Sequence, residues 1–362
     1  MTVHPRLIAL GTAVPPHVVR QEDVKRLASN LFSETLGADP RLIQVFDHAA
    51  IGKRHACMPL DWFAVDHDFA EKNALYIEHA VNLAEAAARH ALTGAGLAPR
   101  DVDHVVFVSS TGIATPSIDA MLANRLGFRT TLRRTPVWGL GCAGGAVGLA
   151  RARDFALADP SSRVLLIALE LCSLTFQRND VSKRNLVAAS LFGDGAAAAV
   201  VTGGDAAVTG TGAQRPLELV ASQSILWKDS LDVMGWEVDG NGLHVVFSRD
   251  IPAIVRDQVR PSLAAFLDRC GLRLDQIDHV VAHPGGVKVL NAYAEALELP
   301  ASAFDHSREV LRDYGNMSSP SCLFVLERFL KAGAIGAGEH AVVAALGPGF
   351  SAEYVLATGG AA

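Results

Sequence analysis

The sequence predicts an α/β protein made of two duplicated halves, and three observations carry that reading. Short β-branched or Ala/Val-rich runs alternate with amphipathic helical segments. The runs are almost uniformly apolar, as strands covered on both faces are. One segment, "GLAPRDVDHVV" at 96–106, realigns with "GLRLDQIDHVV" at 271–281, an offset of 175 residues.

The expected strands are 103–110, 163–171, 195–203, 278–283, 340–347 and 352–358. In both copies an apolar helix ("LAEAAARHALTGAG", "SLAAFLDRCG") precedes the repeated segment, which leads into a strand. The helix opening at "GCAGGAVGLARARDFAL" and its strand "RVLLIALE" then match the helix after "GNMSSPSCLFVLERFLKAG" and its strand "HAVVAALG". Four elements in one order at nearly one offset indicate a duplicated domain, not a short-repeat solenoid. The halves are placed at 1–205 and 215–362, joined by the Gly/Thr-rich "VTGGDAAVTGTGAQRP". The offset sets Cys142 opposite the turn at Asn316–Ser318, and His283 opposite the strand end at Val108–Ser109. Both helix N-termini and the histidine can then face one cavity at strand carboxyl ends, where α/β sheets bind ligands.

Of the 362 residues half are hydrophobic, and the net charge is −6 without clustered Lys and Arg. A nucleic-acid footprint is therefore excluded. No secretory leader pattern opens the sequence, and no run of about 18 apolar residues suggests a membrane span. Five cysteines without CxxC or Cys/His clustering argue against a disulfide framework and a zinc site, leaving a reducing cytosol as the expected compartment.

Chemistry concentrates at three residues. Cys142 stands in "WGLGCAGGAVGL", where glycines permit a sharp turn into a helix N-terminus. There the dipole and free N–H groups favour a thiolate, although a buried structural thiol also fits. His283 ends a buried strand in "VVAHPGGVKVL" and can accept a thiol proton or donate to an oxyanion, or merely bond backbone. Asn316, in "DYGNMSSPS", is a good N-cap whose amide can equally donate to a developing enolate. Phe192, in "LFGDGAAAAVV", precedes a tight turn, and "ALGPGFS" makes a second one, a cavity wall or a hairpin. No phosphate-binding or dinucleotide loop is present.

Together "GCAGG", "LFGDGAAA", "AHPGG", "YGNMSS" and "LGPGF" resemble the type III polyketide synthases, the chalcone and stilbene synthase superfamily, across nearly the whole chain. The resemblance implies a thiolase-like αβαβα five-layered fold and a homodimer. It implies acyl-CoA starters and malonyl-CoA as substrates, with no metal or organic cofactor. Cys142 matches the family's nucleophile, His283 its catalytic histidine and Asn316 its catalytic asparagine. Phe192 matches a phenylalanine between the coenzyme A tunnel and the cavity; the family's second such phenylalanine falls near Val245, where this sequence departs from the family. Thr175 and Ala188 match cavity-lining positions, and Thr115 a residue that reaches toward the partner's cavity. Gly285, Gly286, Ser318 and Gly349, within the shared motifs, are further expected substrate contacts. Arg41, Lys53 and Arg54 are candidates for coenzyme A phosphates. Small residues at Thr175, Ala188 and Val245, and a likeness to bacterial members, suggest a long fatty acyl starter and an alkylpyrone or alkylresorcinol product. The rival readings are a single-condensation β-ketoacyl synthase III-like enzyme and a non-catalytic thiolase-fold protein that binds acyl-CoA.

Overall fold

A computed structural model describes residues 3–207 and 215–360. The first half supplies strands β1 (Arg6–Ala13), β2 (His17–Arg20), β3 (Lys53–Ala56), β4 (His104–Val108), β5 (Arg133–Val137), β6 (Arg163–Leu171) and β7 (Asp194–Thr202). The second supplies β8 (Leu217–Leu226), β9 (Met234–Asp239), β10 (Gly242–Phe247), β11 (His279–Ala282), β12 (His340–Gly347) and β13 (Ser351–Gly359). Nine of them form one sheet in the order β11-β12-β13-β8-β1-β7-β6-β4-β5, while β2/β3 and β9/β10 are separate hairpin-like pairs.

The duplication is visible residue by residue. β4 runs parallel to β6 with His104 opposite Val164, and β11 runs parallel to β12 with His279 opposite Ala341. β6 is antiparallel to β7 as β12 is to β13. β7 is then antiparallel to β1 as β13 is to β8. The halves join where Arg6 and Leu7 of β1 face Glu218 and Leu217 of β8. β5 has no counterpart in the second half among the described residues. The Gly/Thr-rich joint expected between the halves falls largely on residues 208–214, outside the described residues.

Five layers result. Helix Phe69–Ala95 covers one outer face; its Ala80, Ala84, Ala87, Ala88 and Ala91 are fully buried and allow close packing on the sheet. Helices Ile251–Arg269 and Val287–Leu297 cover the other outer face. Helices Gly144–Ala158 and Ser321–Lys331 lie between, sharing one core with strands of both halves. β6, β7 and β12 are buried almost end to end, which is why their sequences are apolar throughout rather than alternating.

The central layer is held by close backbone approach. A Cβ on Gly145 would lie 2.1 Å from the Ser319 carbonyl oxygen, and one on Gly144 would lie 2.6 Å from Val108 Cγ1. Glycine is therefore required by the neighbouring helix, not only by the turn. Gly145→Ala is expected to lower unfolding stability by about 2–3 kcal/mol in urea denaturation. Gly94→Ala, whose Cβ would meet only Ala9 Cβ at an ordinary 3.5 Å, should instead be neutral or stabilising by about 0.5 kcal/mol.

Candidate active site

Cys142 sits in a single tight turn, Gly141–Ala143, which runs into helix Gly144–Ala158. Gly141 has φ +45°, and a Cβ there would come within 2.9 Å of Pro348. The Ser110 hydroxyl accepts from the Gly139 and Gly141 amides, each at 3.2 Å, and so fixes the turn. The thiol is buried, at 6% exposure. Burial pushes it up to about 11; hydrogen bonds from the Ser318 and Asn316 side chains pull the other way.

The second-half turn meets it there. Asn316 donates through Nδ2 to the Gly285 carbonyl at 3.2 Å and accepts through Oδ1 from the Ser318 amide at 2.8 Å. Ser318 takes φ +57°, a conformation held by that bond. Gly285 belongs to the loop after β11, whose last strand bond is the His283 amide to the Ala344 carbonyl at 2.8 Å. The asparagine thus ties the cysteine turn to the histidine loop. His283 is 4% exposed, and neither ring nitrogen has a hydrogen-bond partner in the protein. Burial alone drives its pKa down to about 3.

Taken singly, therefore, burial favours a thiol and a neutral imidazole. A proton passed from one to the other would create two opposite charges, whose attraction would offset part of the desolvation that each bears alone. Gly286 opens helix Val287–Leu297. Gly349 has φ +123°, and its carbonyl accepts from the Ser230 hydroxyl. The close approach to the cysteine turn is made instead by Gly347, where a Cβ would lie 2.6 Å from the Leu140 carbonyl oxygen.

Two groups near the site escaped the sequence reading. Glu170, fully buried on β6, accepts from the Ser110 amide, the Thr111 hydroxyl and the Ser319 hydroxyl at 2.9, 2.8 and 2.9 Å. Burial raises it to about 7 despite these donors. A lone acid in the apolar run "RVLLIALEL" was its signal. Phe247, at the end of β10, packs tilted against Phe192 with ring centroids 5.6 Å apart, and Trp236 lies 6.2 Å away. The aromatic partner of Phe192 is thus two residues beyond Val245, which lines the cavity instead.

Val245 belongs to the lining of an open cavity that is also walled by Thr175, Ala188 and Phe192. Val24, Leu27, Ala28 and Leu31 wall it too; their spacing places them on one face of helix Gln21–Leu31. Cys142, His283 and Asn316 are not on its wall. Phe192 belongs to both places: its ring lines the cavity and its backbone bridges to Asn316. Thr115 is exposed and lies off this cavity. Arg41 projects into solvent beside Asp39, and Lys53 is also exposed. Arg54 borders the cavity but does not fit the phosphate role: it is 5% exposed, and its Nη1 and Nη2 donate to backbone carbonyls and Gln21. Among the described residues, no group of three or more His, Cys, Asp or Glu side chains is placed to hold a metal, and no helix is long and apolar enough to cross a membrane.

The layers and the paired helix N-termini put the chain among thiolase-like proteins. The structure superposes on that of 1,3,6,8-tetrahydroxynaphthalene synthase from Streptomyces coelicolor A3(2) with a TM-score of 0.91, at 31% identity, covering 99% of this chain and 100% of that one. Residues 3–206 match the family model "Chalcone and stilbene synthases, N-terminal domain", and residues 218–359 match the C-terminal one. The chain belongs to the chalcone and stilbene synthase family and is a type III polyketide synthase. Among its relatives, a 1,3,6,8-tetrahydroxynaphthalene synthase from Streptomyces peucetius subsp. caesius is 44% identical over 96% of this chain and 91% of the relative. A phloroglucinol synthase from Pseudomonas fluorescens is 29% identical over 94% and 95%.

His283→Ala should leave Cys142 with the alkaline pKa that burial imposes. Thiolate is scarce below such a pKa, so iodoacetamide labelling at pH 7 should fall at least tenfold and recover only as pH rises. Equal rates in wild type and variant at pH 7 would remove His283 as the base.

Proposed function

We propose that the chain loads a long fatty acyl group from its coenzyme A ester onto Cys142 and extends it with malonyl-CoA. The observation that carries the chemistry is the bond from Asn316 to Gly285, which holds the asparagine between the Cys142 turn and the His283 loop. His283 takes the Cys142 proton; the thiolate attacks the thioester carbonyl, and coenzyme A leaves as its thiol after regaining a proton. Malonyl-CoA loses CO₂, and the electron pair of the broken bond becomes an enolate. Its oxygen receives hydrogen bonds from His283 and the Asn316 amide. The enolate carbon attacks the acyl-cysteine, releasing Cys142 as thiolate and leaving a β-ketoacyl-CoA two carbons longer. Repetition and ring closure give an alkylpyrone or alkylresorcinol.

The starter reading rests on the cavity. One wall of it is a face of leucine, valine and alanine, and fatty tails bury there at about 0.8 kcal/mol per methylene. Each two-carbon increment should then raise kcat/KM roughly tenfold until the cavity ends. With malonyl-CoA and starters from acetyl to palmitoyl, the optimum is expected at a long chain; Ala28→Phe should move it several carbons shorter, and Cys142→Ala should abolish products. Preference for acetyl or aromatic starters in the wild type would sink the fatty acyl reading. The 44% identical relative named as a tetrahydroxynaphthalene synthase supports a second reading, in which malonyl-CoA alone is the substrate. A ring product formed efficiently without any starter would select it.

We further propose a homodimer through the surface around Thr115. Ile113 and Trp138, 47% and 51% exposed, form an apolar surface on either side of the loop, joined by the Trp138 Nε1 bond to the Gly112 carbonyl. Sedimentation should give twice the chain mass for the wild type, and Trp138→Glu should shift it toward monomer; a monomeric wild type refutes the assembly.

A further inference from the structure

Arg54, on β3, is a buried cation with no carboxylate bonded to it. Its Nη1 donates to the carbonyls of Ala189 and Phe192 at 2.8 Å each, and its Nη2 to that of Ser190 at 2.8 Å and to Gln21 Oε1. Gln21 adds its own Nε2 bonds, to the Ser190 carbonyl at 3.0 Å and the Phe46 carbonyl at 3.1 Å. Helix Lys183–Leu191 ends here, and its last carbonyls have no donor within the helix. A cation suits the negative helix end. Yet a buried guanidinium bears a desolvation cost of several kcal/mol, whereas a glycine cap would finish the helix at none.

What the extra rigidity serves is visible one step further on. The segment leaving this helix crosses the segment that carries Asn316. The Asn316 amide donates to the Leu191 carbonyl at 2.9 Å, and the Gly193 amide donates to the Asn316 carbonyl at 3.0 Å. Both crossing strands bear glycine where they meet Arg54. A Cβ on Gly193 would lie 3.2 Å, and one on Gly315 3.5 Å, from Arg54 Cβ. The arginine therefore lies against the crossing from below and grips the carbonyl of Phe192 on one of its strands. Asp194 and Gln21 face it as well, the first through its field only; burial draws the guanidinium down to about 10, still charged at neutral pH.

We propose that Arg54 is a positioning residue for decarboxylation, holding the Phe192–Gly193 segment so that Asn316, whose backbone is bridged to it, points its side-chain amide at the malonyl group. This rests on the enolate role given to Asn316. The cysteine turn is anchored separately, by Ser110, so Arg54 does not hold Cys142 itself, although it also borders the cavity.

Arg54→Met keeps the stem and removes the charge and donors; Arg54→Lys keeps the charge without the planar fork. In Arg54→Met, kcat for malonyl-CoA decarboxylation is expected to fall at least thirtyfold with KM changed less than threefold. Loading of Cys142 from acetyl-CoA, which has no tail to place in the cavity that Arg54 borders, is read by mass spectrometry and should stay within threefold of wild type. Arg54→Lys should lose at least fivefold in decarboxylation with loading again intact, and it decides the matter should the Met variant fail to fold. Decarboxylation at the wild-type rate in either folded variant, or loading and decarboxylation falling together, overturns the proposal. Asn316→Ala is run alongside. Normal decarboxylation there removes the role of Asn316 itself, whereas impairment there with Arg54 variants unaffected removes only the role of Arg54.

Discussion

Two helix N-termini pressed together, with only glycine on the first-half side of the contact, are the constraint on which the site depends. Helices Gly144–Ala158 and Ser321–Lys331 approach so closely that Gly145 lies under the Ser319 carbonyl. Two positive dipole ends converge there, which favours any negative charge that develops between them and makes the empty arrangement costly. Glu170 supplies the counterweight: a buried acid gathering an amide and two hydroxyls, one of them Ser319 from the second half. The same carboxyl raises the Cys142 pKa through its field, so the balance of the central layer and the readiness of the nucleophile are linked.

The contacts explain which parts of this molecule could be read from sequence. β6 and β12 were foreseen to the residue, because strands buried on both faces need apolar side chains at every position. β1, with its internal Gly11, and β8, with its half-polar "LELVASQSIL", follow no such rule and were missed. β5 was missed because "RRTPV" carries a proline, tolerated only because the strand is an edge. The repeat was legible because equivalent strands occupy equivalent registers, down to His104 and His279 beginning matched strands.

Among the site residues, Cys142, His283 and Asn316 stood out because each sits beside glycines at the end of an element, a local signal. Phe247 and Arg54 had no such signal. The partner of Phe247 is a ring 55 positions earlier, and Arg54 reads as any surface arginine of a short exposed-looking strand. Its side chain turns inward because the carbonyls that end helix Lys183–Leu191 wait for donors there, and that need is written far from Arg54 in the chain. Partners distant in sequence are what single-sequence reading lacks.

Chemistry and size selection also separate by origin in the fold. The candidate residues Cys142, His283 and Asn316 lie on the duplicated framework, at the end of β11 and beside the N-termini of the two central helices. Much of the cavity wall comes from elements added to that framework, the stretch from Val19 to Phe63 between β1 and helix Phe69–Ala95 and Val245 of β10, with the segment from Cys172 to Phe192 that links β6 to β7 completing it. Phe192 is the one side chain in both systems, its backbone bridged to Asn316 and its ring packed against Phe247. Phe192 thus stands where the candidate site and the cavity meet. Changes in the added elements can therefore alter which chain fits while the condensing machinery stays in place, so long as they leave the grip on the Phe192 backbone unbroken.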